Sequence, residues 1–194
     1  MIFGLGRVKY MRKYMHDYER YLETELVRLD KSDIPDRDKK LILEFRDNNI
    51  SRDLSVPRIL RVVSILRLTA LRVKKSFEEM TAKDYEWYIV FLKKNNFSPD
   101  SIETYKGCLK VFHKWLNGGK DYPECVEWMK SKTNKNHKLP EDLLVEEEVK
   151  KLILAVEPKR DKALIASLWE SGARIGELGN LRIKHLTFDE LGWS

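Results

Sequence analysis

A mostly α-helical protein is the fold class this sequence predicts, on three observations. Apolar residues recur at three- and four-residue spacing through most of the chain. Several of these runs are preceded by Ser or Thr, followed by Pro or an acid, which are helix-start signals. Alternating strand patterns are almost absent before residue 187.

Each element follows from its own spacing. "VKYMRKYMHDYERYLETELVRL" puts Met11, Tyr14, Met15, Tyr18, Leu22, Leu26 and Leu29 on one helical face, read as a packing surface; the alternative is a helix for self-association. "RDKKLILEFRDNN" is a second helix, ending at its Asn pair. "SVPRILRVVSILRLTALRVKK" follows, with Ser55 as N-cap and Pro57 in the first turn. "TAKDYEWYIVFLKKNN" starts with Thr81 and Asp84 at capping-box spacing. "SPDSIETYKGCLKVFHKWL" has Ser98 as cap and Pro99 at the first helical position, buries Ile102, Tyr105, Leu109, Phe112 and Leu116, and ends at "NGGK". "FRDNNIS" at 45–51 echoes "FLKKNNFS" at 91–98, which suggests two helical hairpins packed as a four-helix unit. A shorter helix, "YPECVEWMKSK", leads into the polar "TNKNHKLPEDLL", read as a linker. Beyond it come "EEEVKKLILAVE" and "KRDKALIASLWES", both helical. The predicted organisation is an amphipathic helix at 1–32, a helical lobe at 33–130, a linker at 131–143 and a second lobe at 144–194.

The net charge is +6, spread as +7 over residues 1–77, +2 over 78–140 and −3 over 141–194. A basic front suits a polyanionic partner. No uncharged apolar run approaches the ~18 residues of a membrane span. "MIFGLGRVKYMRK" has too short an apolar run for a secretory signal, so the expected compartment is the cytoplasm. Cys108 and Cys125 are too few to staple a domain and are expected to be reduced and structural. The four histidines lack metal-ligand spacing, and "GLG" at 4–6 is no dinucleotide fingerprint; no cofactor is expected.

The stretch "ESGARIGELGNLRIKHL" carries the most chemistry. Gly172 reads as the residue closing the helix before it, which puts Arg174 in the first turn of a short helix. A guanidinium there is a planar fork suited to two phosphate oxygens, beside free backbone N–H groups. Glu177 lies three residues on, placed to hold the arginine, and Leu178 and Leu181 anchor the other side. Gly176 inside a helix costs about 1 kcal/mol, which suggests close approach by another group. By spacing alone a surface ion pair explains Arg174 and Glu177 equally well. In the helix from Val56, Arg58, Arg61 and Arg72 fall within an arc of about 60°, and Arg52 lies just before it; Arg67 points elsewhere and is expected only to be solvated. Lys106, Lys110 and Lys114 form an i, i+4, i+8 row, and Lys135 lies in the linker. These eight cations are the candidate nucleic-acid contacts.

"SGARIGELGNL" resembles the first arginine box of the tyrosine recombinases, which include phage integrases and Xer-type resolvases. "KLPEDLLVEEEVKKLILAV" is similar to the opening of the family's catalytic domain, and "RDKALIASLWESGARIGEL" to the helices that deliver its arginine. "SPDSIETYKGCLKVFHKWL" resembles the last long helix of its core-binding domain. The likeness runs over roughly residues 40–190. It implies a SAM-like core-binding domain of four main helices, followed by the helical N-terminal part of a catalytic domain. It implies further that Arg174 grips the scissile phosphate beside Glu177, and that the helical lobe clamps duplex DNA. Two departures are mild: Gly179 replaces a larger apolar residue, and Val145 a Ser/Thr cap worth about 1 kcal/mol, for which Asp142 is a substitute. The larger one is the lack of the family's hairpin lysine, its His-x-x-Arg box, its later His or Trp and its nucleophilic tyrosine. Tyr10, Tyr14, Tyr18, Tyr21, Tyr85, Tyr88, Tyr105 and Tyr122 all precede the arginine box, and His185 matches no catalytic position. The chain is therefore expected to be truncated after that box, to bind DNA in site-specific recombination and integration, and not to cleave alone. The alternatives are an active recombinase completed by a separate C-terminal chain, and a helical protein-interaction module. The residues themselves leave enzymatic activity open. A further expectation is apolar surface left uncovered from residue 141 onward.

Overall fold

The computed structural model describes residues 16–130 and 143–182 and the backbone of 188–189 and 192–193. It is mostly helical. The chain divides into two units, Tyr18–Lys135 and one that holds Asn136–Ser194. The predicted linker 131–143 lies, apart from Leu143, outside the described residues. No described helix is long and apolar enough to cross a membrane.

The first unit holds α1 (Tyr18–Asp30), α2 (Asp36–Ser51), α3 (Val56–Val73), α4 (Ala82–Lys94), α5 (Pro99–Leu116) and the short α6 (Glu124–Glu127). α3 is central and packs against α1, α2, α4 and α5. Its Ile59, Val63, Leu66 and Ala70, spaced three and four apart, are buried with Ile42 and Phe45 of α2, Tyr85, Tyr88 and Leu92 of α4, and Leu109 and Phe112 of α5. Phe45, Phe77 and Phe112 meet edge to face, with centroids 5.3 and 4.8 Å apart, the arrangement that ring quadrupoles favour. Leu22, Leu26 and Leu29 of α1 pack onto this same core, so these three leucines of the stripe are used within the chain, whereas Tyr18 is exposed. Met11, Tyr14 and Met15 lie outside the described residues.

Helix ends follow the sequence in part. Ser98 caps α5, its hydroxyl accepting from Ser101 N–H at 3.2 Å, and Pro99 is the first helical residue. The Asp84 carboxylate reaches back to Thr81, accepting from its N–H and its hydroxyl, both at 2.7 Å, while Lys75 donates to it at 2.9 Å. These hydrogen bonds, the backbone one first, lower the Asp84 pKa to about 2. Ser55 stands at the N-cap of α3 but its hydroxyl makes no cap bond. The Asn48–Asn49 pair does not end α2, which continues to Ser51. Asn49 is buried, and the left-handed turn residue is Asp53, with φ 55°; short polar side chains tolerate that conformation. In the echoed segment Asn96 has that role, with φ 59°.

Buried polar groups fix the packing of the first unit. Glu25 of α1 pairs with Arg67 of α3 at 2.6 Å, with side chains 5% and 13% exposed. Arg67 is therefore not a solvated surface cation; it lies half a turn round α3 from Arg58, where α1 packs. His113 is buried, its Nε2 2.5 Å from the Tyr85 hydroxyl and its Nδ1 3.7 Å from Cys125 Sγ. Burial lowers its pKa to about 4. Both cysteines are free and half-buried; burial pushes the Cys108 thiol up to about 12 and raises that of Cys125.

The second unit contains α7 (Glu146–Ala155), α8 (Lys159–Ser171), α9 (Ile175–Gly179) and a strand pair, β1 (Phe188–Asp189) and β2 (Gly192–Trp193). The strands are antiparallel, Phe188 opposite Trp193. α7 packs on α8, and α8 on α9. Val149 is the one buried side chain described in these three helices. Leu152, Leu154, Trp169 and Ile175 are exposed, Leu154 by 77%, as expected for this region. At the start of α7, Val145 has no side-chain cap to offer; Glu148, three residues on, accepts from its N–H at 3.0 Å. Asp142 lies outside the described residues.

Candidate nucleic-acid interface

Arg174 sits between two helices that the sequence delimits sharply. Gly172, with φ 60°, closes α8, its N–H bonding to the Leu168 carbonyl at 3.1 Å. Arg174 is then the N-cap of α9, extended at φ −71° and ψ 145°, one step before the predicted first turn. Glu177 holds it twice, accepting from its backbone N–H at 2.7 Å and from Nη1 at 3.2 Å. The arginine side chain is 88% exposed and the glutamate 57%. One edge of the guanidinium is engaged and the group remains open to solvent, a geometry that leaves donors for an anion. Leu178 is half-buried, whereas Leu181 is exposed and anchors little. A Cβ built at Gly176 would meet nothing within 4 Å, so no protein neighbour requires glycine there.

On α3, Arg58, Arg61 and Arg72 are all exposed, as is Arg52, which caps the C-terminus of α2. Among the described residues none of these four has a carboxylate within ion-pair distance. The guanidinium of Arg72 lies 5.2 Å from the centre of the Phe91 ring. α3 has no acid in its first turn, where Arg58 stands instead; a cation at that end opposes the helix dipole and gains from an anion. Arg61 and Arg28 line a cleft of about 800 Å³ with Ser101 and Thr104 of the first turn and a half of α5.

The lysine row of α5 is less uniform than its spacing implies. Lys106 is held by Glu103 at 2.7 Å and only 17% exposed. Lys110 donates to the Met129 carbonyl at 3.0 Å and lies 4.5 Å from the Tyr122 ring centre, with Lys114 at 5.0 Å from the same ring. Lys135 lies outside the described residues. Spacing could not show Tyr122, because the link depends on how the loop after α5 folds back. The tyrosines of α4 are unsuited to nucleophilic chemistry: Tyr85 and Tyr88 are buried, and burial raises both phenols, that of Tyr88 to about 12.

Compared with known proteins, the chain is 30% identical over 133 residues to tyrosine recombinase XerA of Pyrococcus horikoshii, and 31% identical over 134 residues to tyrosine recombinase XerA of Pyrococcus furiosus. Each match covers 64% of this chain and 43% of the relative. This chain is similar in sequence to tyrosine recombinases. It spans less than half the length of the tyrosine recombinases it matches. No family model and no solved structure matches it. The helical fold is that expected from the tyrosine recombinase resemblance.

Proposed function

We propose that these residues bind duplex DNA in site-specific recombination and do not cut it by themselves. The likeness to XerA carries the reading. Support comes from the exposed cations of α2 and α3 and from a guanidinium presented by Glu177 at a helix start. Residues 33–130 act as the core-binding domain, and 144–194 as the beginning of a catalytic domain in which Arg174 contacts the scissile phosphate. Transfer of that phosphate needs a nucleophile, an acid for the leaving oxygen and further cations; Arg174 supplies one charge. A second reading, a recombinase completed by another polypeptide, is favoured by the apolar side chains exposed on α7–α9.

One experiment separates these readings. Duplex binding is measured across rising salt, with and without a C-terminal recombinase fragment, and covalent adducts are sought on denaturing gels. The expected outcome is binding that weakens with a log–log slope near −0.9 per phosphate neutralised, with no adduct from this chain alone. Salt-independent or absent binding sinks the first reading; an adduct formed only with the added fragment supports the second.

A further inference from the structure

We infer that Tyr122 gathers Lys110 and Lys114 into a single two-cation contact for the phosphates of duplex DNA, an inference that rests on the DNA-binding reading above. The two lysines lie one turn apart on α5, where like charges repel. The chain then turns at Gly118 and Gly119, with φ 70° and 79°, and brings Tyr122 back over α5. The ring faces both ammonium groups, at 4.5 and 5.0 Å, and is itself 40% exposed. Neither lysine has a carboxylate partner among the described residues, whereas Lys106, one turn earlier, is neutralised by Glu103. A ring face attracts a cation without cancelling its charge. It therefore restrains two flexible stems at a place where positive charge stays available. Lys110 is further anchored by the Met129 carbonyl. A pair of restrained, half-buried cations with no carboxylate partner among the described residues suits a phosphodiester backbone.

The test is a double-mutant cycle on the full chain, read by fluorescence anisotropy with a duplex between about 50 and 200 mM salt. Lys110→Ala/Lys114→Ala is expected to reduce the salt slope by about 1.8. Tyr122→Leu and Tyr122→Gln are each expected to weaken low-salt binding by roughly three- to fivefold, and Tyr122→Phe to bind within about twofold of the unaltered chain. In the double-lysine background the Tyr122 substitutions are expected to add nothing. Undiminished binding by both Tyr122→Leu and Tyr122→Gln, or an equal loss in both backgrounds, overturns the inference, the latter because the ring then serves only the fold. The glutamine variant covers the case in which leucine disturbs the loop, seen as a lowered thermal midpoint. Failure of the unaltered chain to bind duplex at any salt sinks the DNA reading instead.

Discussion

Asp38 shows how much a single buried carboxylate can organise. It lies in the first turn of α2, fully buried, and its Oδ1 accepts from the Phe77 N–H at 3.2 Å and the Ser76 hydroxyl at 3.1 Å. The loop between α3 and α4 is thereby fastened to α2, and Phe77 is held in the aromatic core. Asp38→Ala leaves the Phe77 N–H buried without an acceptor, so stability measured by urea denaturation is expected to fall by about 2 kcal/mol. The N-caps use carboxylates in a related way: Asp84, Glu148 and Glu177 each accept from the N–H three residues before. That spacing is local, which is why Arg174 and Glu177 were legible in the sequence. Asp38 was not, because its partners lie 38 and 39 residues away.

Between elements, the pairing of α1 with α3 depends on Glu25 and Arg67. A buried ion pair adds little net stability, but removing one partner strands the other charge. Arg67→Met is expected to cost roughly 3 to 5 kcal/mol, and Glu25→Leu/Arg67→Met to recover most of that loss; thermal and urea midpoints of the three proteins check it. Equal losses in the single and double variants would mean that packing, not charge, joins the helices. Periodicity placed the arginine of this pair off the Arg58 face but could not name its partner, 42 residues distant. The helices themselves were readable because their apolar stripes and the Ser98, Thr81 and Gly172 signals are short-range. The Asn pair reads as the end of α2, whereas the helix runs on to Ser51 and buries Asn49, and burial is a property of the assembled helices that local spacing does not carry.

At the scale of the whole first unit, His113 couples stability to pH. Its pKa is lowered to about 4 by burial, against about 6.5 in an unfolded chain. Between those values the unfolded chain carries a proton that the folded one does not, so stability is full above about pH 6.5 and declines as pH falls towards 4. The decline is expected to approach 3 kcal/mol in urea titrations at stepped pH, and His113→Gln should flatten it. A slope unchanged by that substitution would remove His113 as its source. Asp84, with its pKa near 2, adds a separate loss only below about pH 4. None of this was visible in a sequence where His113 is one of four scattered histidines. The contrast with α7–α9 is large, since only Val149 is buried there among the described residues. Those three helices have almost no interior to lose when they open, so their amide hydrogens should exchange with deuterated solvent through small local fluctuations, while amides around Tyr85 and Phe112 must wait for the entire helical lobe to come apart.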